Sequence, residues 1–431
     1  MYFLYSVLLA AGFLLASPYW LFEMLRHGKY RRAFSERLGR VPTRLLDGEK
    51  RAIWVHAVSV GEGLAVSEVI RQLRMEHPEH RVVISTTTDT GQKLAASRFG
   101  PENVFYFPFD FRFSVRPYFD ALRPELIVIA ETEFWPNFLR ISRERGAHLA
   151  IVNARISDRS FPGYRRFRPL LARVLSSINL FLAQTPEDAR RLSEIGAAAD
   201  RVFVAGNLKF DIPVPNECAI VNQLRSALCS SDSGPVLVCG STVEGEEPLL
   251  ISAFKAVLTK YSRAIMLLAP RHPERFNAVA DLLEKSNVHF LRRSTWNGEP
   301  LSGGVLLIDS IGELASLYAL ADIAFVGGSL VPRGGHSILE PAQQGVAILV
   351  GPHTENFRDI VDLFQRNGGV RILSPTELTA AFLELLEHED ERRALANHAF
   401  QTFESRRGAT QFTIEKLRRL LGSALHEAHT A

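Results

Sequence analysis

Cysteine is scarce. Cys218, Cys229 and Cys239 are the only three in 431 residues, and no two form a C-x-x-C pair. That argues against a disulfide-built scaffold or a zinc ribbon, and fits a reducing compartment. No Walker A run and no G-x-G-x-x-G run occurs, so ATP hydrolysis and NAD binding lose support. The 13 histidines lack H-E-x-x-H spacing, and there is no G-x-S-x-G elbow. A D-x-D metal motif is missing as well; Glu131-Thr132-Glu133 is the nearest approach. Charge of one sign does not dominate: 50 Lys and Arg stand against 47 Asp and Glu, a net charge of +3. Any basic function must therefore come from local clusters. Internal repeats and low-complexity tracts are absent.

What is present begins with a long apolar run. From Tyr2 to Leu25 the only charge is Glu23. At 1.5 Å per residue that length can cross a hydrocarbon core of about 30 Å. Tyr19, Trp20 and Phe22 cluster near its end, as at a membrane interface. Residues 26–40 follow with six Lys or Arg against one Glu. Positive-inside logic puts this flank, and all that follows, in the cytoplasm. A cleaved signal peptide needs its basic residues before the apolar stretch, and here they come after it. The expectation is an uncleaved anchor over 1–25, with a buried core helix as the alternative.

The remainder is globular, with 46% hydrophobic and 23% charged residues, and is long enough for two or three domains. Apolar, β-branched runs recur at 52–59, 81–88, 103–109, 125–132, 148–154, 180–185 and 201–207. A second series follows at 236–242, 264–270, 305–310, 323–329 and 347–352. Most are continuous rather than alternating, as strands covered on both faces must be. Helical stretches between them make βαβ units and parallel sheets, so the fold class is α/β. The expected organisation is a first doubly wound domain over 26–209, a connection over 210–234, and a second domain over 235–431. Two such domains imply a cleft, with ligands beyond the carboxyl ends of the strands.

Polar residues gather at those strand ends. Glu62 lies between Gly61 and Gly63, and suits either catalysis or the first turn of a helix. Glu131 and Glu133 would share one face of a strand, as working acids or as paired structural carboxylates. Residues 153–174 carry six Arg and one Asp among aromatics. They read as a solvated helix face, or as a surface for an anionic, partly apolar partner; lipid fits better than nucleic acid. Lys209, Arg271 and His272 follow later strands, and Gly312-Glu313 opens a helix. Gly327, Gly328, Gly334 and Gly335 precede His336 and Glu340. Bare backbone would let N–H groups reach a phosphate at the next helix start, and a carboxylate there could accept from ribose hydroxyls. The implied ligand is a nucleotide. Without a metal motif, its phosphate would be neutralised by Arg, Lys and helix N-termini.

Ten ordered motifs resemble the Kdo transferases of lipopolysaccharide assembly across nearly the whole chain. They are "HAVSVGE", "ETEFWPN", "NARIS", "GNLKFD", "GSTVEGEE", "PRHPERF", "GGSLVPRGGH", "LEPA", "GPHTENF" and the N-terminal apolar run. The resemblance implies a GT-B glycosyltransferase of two Rossmann-like domains. CMP-Kdo would be the donor and a tetraacyl lipid A precursor the acceptor, with no catalytic metal or other cofactor, at the cytoplasmic face of the inner membrane. It places the general base on Glu62 and a second essential acid on Glu131. CMP contacts fall on Pro270, Arg271 and His272, on Ile311, Gly312 and Glu313, and on Gly335 and Ser337, Ile338, Leu339 and Glu340. Lys209 joins them at the donor's phosphate. Ser59, Arg155, Arg159, Arg165 and Arg166 are the acceptor candidates, and Glu36 is the reserve candidate for the base. The chain departs from the family pattern at Ser337, usually Asn, and at Val243, usually His. Another sugar nucleotide on another lipid, or a nucleotide-sensing module, remains open on fold alone.

Overall fold

In the computed structural model the described residues are 1–27, 31–46, 48, 50–212 and 219–430. Cys218 and the Pro-rich start of the expected connection, 213–218, lie outside them. The chain divides into two compact units, 1–211 with 407–431, and 212–406.

Unit one carries a parallel sheet of β1 (Ala52–His56), β2 (Arg81–Thr86), β3 (Val104–Tyr106), β4 (Leu126–Ala130), β5 (His148–Ala154), β6 (Leu180–Ala183) and β7 (Val202–Val204). Its order is β3-β2-β1-β4-β5-β6-β7. Each face of the sheet feeds a separate core, because alternate residues of a strand point to opposite sides. Trp54, Val83, Ile127 and Leu149 enter one core, while Ile53, Val82, Val128 and Val152 enter the other. Trp54 centres an aromatic cluster with Phe105, Phe119 and Phe138, and its Nε1 donates to Ser85 Oγ at 2.7 Å.

Unit two carries β8 (Val236–Thr242), β9 (Ile265–Pro270), β10 (Phe290–Arg292), β11 (Gly304–Leu307), β12 (Ile323–Val326), β13 (Ala347–Val350) and β14 (Arg371–Ile372). The order is β10-β11-β9-β8-β12-β13-β14, again parallel. The edge strands β10 and β14 have no counterpart among the expected runs. With three and two residues, they are too short for a hydrophobic pattern. In both sheets the chain order reverses beside the founding strand, between β1 and β4 and between β8 and β12. Ligands in open α/β sheets gather at such places.

Two expected boundaries need correction. The last helix, Ala409–Thr430, belongs to unit one rather than to the second domain. Its apolar residues Ile414, Leu417 and Leu421 are buried in a unit-one core, and Arg418 pairs with Glu76 at 2.7 Å. Residues 219–230 are not a connector but a helix, whose Ile220, Leu224 and Leu228 enter a unit-two core.

The stretch expected as an anchor does form a helix, Tyr2–His27, but among the described residues no helix is long and apolar enough to cross a membrane. One side of it is committed to unit one. Asn137 Nδ2 donates to Ser6 Oγ at 3.0 Å, Arg140 lies over the Tyr2 ring at 4.9 Å, and Phe13 meets Phe109 edge-on at 4.9 Å. Phe3, Leu4, Leu8, Leu14 and Leu15 remain exposed.

Leu417 is fully buried, so Leu417→Ala should cost about 2–5 kcal/mol through lost transfer energy and a residual cavity. Denaturant unfolding followed by tryptophan fluorescence checks this. A loss below about 1 kcal/mol would place the C-terminal helix outside the core of unit one.

Candidate functional site

In unit one, the loop after β1 enters a short helix, Val60–Ala65, with Ser59 as its N-cap. Glu62 Oε2 accepts from the Val58 N–H at 2.8 Å, and Oε1 accepts from Ser59 Oγ at 2.9 Å. Ser59 Oγ in turn accepts the Glu62 N–H at 3.4 Å. The arrangement is close to a capping box, so the helix-start role is real. It also fixes the carboxylate's direction. Burial, aided by the charge of Glu131, raises the Glu62 pKa, while its hydrogen bonds oppose the rise. Ser59 thus serves Glu62.

β4 stops at Ala130, and Glu131 takes a left-handed conformation with φ 57°. Strand alternation therefore does not relate Glu131 to Glu133. The grouping arises from the turn: Glu62, Glu131, Glu133, Arg155 and Tyr164 line one cavity of about 280 Å³. A non-glycine residue at positive φ costs of order 1 kcal/mol or more and persists where its surroundings impose it. Here the Glu131 N–H is held by the Val152 carbonyl at 2.9 Å. Lys209 Nζ lies 4.0 Å from Glu131 Oε1, which puts this lysine in unit one beside the acids rather than in the unit that carries the other donor candidates. Burial, with Glu62 and Glu131 nearby, pushes Glu133 up to about 7. Two neighbouring negative charges make a third one costly. Of the expected acceptor residues, Arg155 lines the cavity, while Arg159, Arg165 and Arg166 are exposed beyond it. Glu36 pairs with Arg44 at 3.2 Å and accepts from the Tyr106 N–H, which is structural work.

In unit two, Pro270 ends β9 and Arg271 follows, its N–H held by Thr242 O at 2.9 Å. The charge of Arg271 reaches the turn after Gly335. It lowers the pKa of Glu340, against the larger rise caused by burial. Burial, then Arg271 and His272, holds His336 down at about 4, so its imidazole is neutral at physiological pH. Arg271 thus lies within electrostatic reach of both His336 and Glu340, and His272 within reach of His336. Ser337 Oγ accepts from the Leu339 N–H at 3.3 Å, and Ile338 and Leu339 are buried. Ile311 is exposed, Gly312 is left-handed at φ 92°, and Glu313 is paired with Arg293 at 2.9 Å. The Glu313 carboxylate is thus engaged within the protein.

The glycine-rich stretch differs from expectation in two respects. The N–H groups of Gly328, Ser329 and Leu330 already point at a carboxylate, that of Glu246. The helix beyond is only Leu339–Gln343, five residues, so little dipole gathers at its start. Sequence patterns do not single out Glu246, Tyr164 or the proton on Glu133. The hints for Glu246 are its place in the "GSTVEGEE" motif and in an acid pair between a strand end and an apolar helix. Among the described residues, His77, Glu79 and His80 could share a metal ion, but they lie at the start of β2, the opposite end from the acids.

Two parallel seven-stranded sheets define an α/β fold of the GT-B-like kind. The UDP-GlcNAc 2-epimerase of Neisseria meningitidis shares the fold, with a TM-score of 0.52 at 14% identity, over 86% of this chain and 100% of that one. The family described as 3-deoxy-D-manno-octulosonic-acid transferase (kdotransferase) matches residues 32–212. The 3-deoxy-D-manno-octulosonic acid transferase of Haemophilus influenzae is 36% identical over 85% of this chain and 87% of its own length. The C-terminal CMP-Kdo binding domain of WaaA from Acinetobacter baumannii is 33% identical over 43% of this chain and 97% of its own, with a TM-score of 0.40. The chain belongs to the 3-deoxy-D-manno-octulosonic acid (Kdo) transferase family, and is a glycosyltransferase.

The raised pKa of Glu133 carries a sign for stability. Folding favours its protonated form, a contribution present below about 4.5 and lost as pH rises toward about 7. Glu133→Gln should therefore gain melting temperature over the parent as pH goes from 5 to 8. A difference that stays flat across that range would mean Glu133 is not held protonated.

Proposed function

We propose that the chain transfers Kdo from CMP-Kdo to a glucosamine hydroxyl of a tetraacyl lipid A precursor, with inversion and without a catalytic metal. The observation that carries this is the convergence of Glu62, Glu131 and Glu133 on one cavity at the ends of β1 and β4. Glu62 takes the proton of the acceptor hydroxyl as its oxygen bonds to the anomeric carbon. The bond from that carbon to the CMP phosphate breaks, and CMP leaves with the electron pair. Glu131 stabilises positive charge developing on the sugar, while the raised pKa of Glu133 lessens its own negative charge beside the other two acids. Arg271 neutralises the departing phosphate in place of a metal, in keeping with the missing D-x-D motif. Arg155, on the cavity wall, is suited to a phosphate of the acceptor.

The exposed apolar side of the helix Tyr2–His27 supports attachment to the cytoplasmic face of the inner membrane, with the helix lying in the interface. This orientation leaves its opposite side on unit one and needs no crossing.

Glu62→Ala should lower Kdo transfer by roughly 10²–10⁴-fold, the usual contribution of a general base. Mass spectrometry of the lipid product reads the loss and counts the sugars added, with CMP binding as the check on folding. Near-parental turnover would remove Glu62 from the role. A larger thermal shift with UDP than with CMP would point to a different sugar nucleotide. Replacing Leu14 and Leu15 with Glu should reduce cosedimentation with anionic vesicles severalfold; unchanged cosedimentation would put membrane contact elsewhere.

A further inference from the structure

Glu246 is fully buried, yet it carries a carboxylate. Its oxygens accept four backbone N–H groups: Val243 at 3.0 Å, Gly328 at 2.7 Å, Ser329 at 2.9 Å and Leu330 at 2.8 Å. A buried carboxylate needs such donors, and hydrogen bonds to a charged acceptor are among the stronger ones. Three of the four lie in the loop that leaves β12, while Glu246 stands in the loop that leaves β8. The two strands are neighbours at the reversal point of the sheet.

The grip extends to the turn assigned above to the donor. The Gly328 carbonyl accepts from the Gly335 N–H at 2.7 Å. Gly328 is left-handed at φ 72°, and a Cβ there would come within 2.9 Å of the His336 ring. His336 is followed directly by Ser337 to Glu340. Gly327 is packed as tightly, since a Cβ would meet Thr242 Cα at 2.7 Å and Glu246 Oε2 at 2.8 Å. The first glycine pair thus serves an internal anion instead of a ligand.

We propose that Glu246 is a positioning residue for the donor nucleotide: by holding Gly328, Ser329 and Leu330 it fixes Gly335 and His336, and through them the 337–340 turn. It touches no substrate itself. The inference rests on the reading of that turn as a CMP site. Glu246→Gln replaces one acceptor oxygen with a donor facing N–H groups, so the loop must shift. CMP affinity should fall by tenfold or more by calorimetry. The KM for CMP-Kdo should rise by a similar factor, with kcat within about threefold.

A merely structural role is separated by Asp322→Asn. Asp322 accepts from the Val236 N–H at 2.8 Å, at the other end of β8, so its loss strains unit two away from the turn. That variant should keep parental CMP affinity despite a lower melting temperature. If Glu246→Gln does not fold, Gly328→Ala reaches the same turn through the His336 ring and should show the same loss. Parental CMP affinity in the folded Glu246→Gln protein, or in Gly328→Ala when that variant stands in, overturns the inference. An equal loss in Asp322→Asn overturns it too. Failure of the parent protein to bind CMP would instead remove the donor reading on which it rests.

Discussion

Removing a carboxylate from water is costly, and much of this structure follows from how each strand-end acid meets that cost. Glu246 is satisfied by four backbone N–H groups and has nothing left to offer a ligand. Glu62 is satisfied in part, by one backbone N–H and one hydroxyl, and still borders a cavity. Glu133 is buried with Glu62 and Glu131 nearby, and its pKa is pushed up to about 7. The same residue type beyond strand ends thus meets three environments: four N–H donors for Glu246, two donors for Glu62, and burial beside other acids for Glu133. Local donors set the difference.

The two units use one device in different ways. Positive φ occurs at Glu131, directly after β4, and at Asn153 and Ser241, next to the last residues of β5 and β8; none is glycine. At Asn153 and Ser241 it coincides with a register shift in the strand pairing. Asn153 Oδ1 then accepts the Leu208 N–H at 3.0 Å, which ties two neighbouring loops together. In unit one the turns open a cavity among acids. In unit two the corresponding region is closed over Glu246, and polar groups gather instead around Arg271 and His336.

Most strands were legible because parallel strands buried on both faces need continuous apolar runs, and twelve such runs stand out in the sequence. The short edge strands were not, since two or three residues carry no period. The last helix was assigned to the wrong unit for a different reason. Its amphipathic pattern says that Leu417 and Leu421 are buried, and is silent about which sheet buries them. The site was legible as a set of acids, glycines and cations at strand ends. Partnership was not, because it is set by contacts across long sequence separation, as from Glu246 to Leu330.

The N-terminal helix shows the limit of composition most clearly. Mean apolarity suggests a span, but packing depends on where the few polar groups lie. Tyr5 and Ser6 face unit one, where Asp110 is buried and pushed up to about 7 despite the Asn137 and Phe138 N–H groups it accepts. Tyr5 adds a hydrogen bond to that acid. A helix crossing a bilayer would have to withdraw these hydroxyls from their partners and leave Asp110 with less support. The helix therefore keeps its polar side on the protein and turns Phe3, Leu4, Leu8, Leu14 and Leu15 outward. The face so exposed is the one on which the proposed membrane attachment rests.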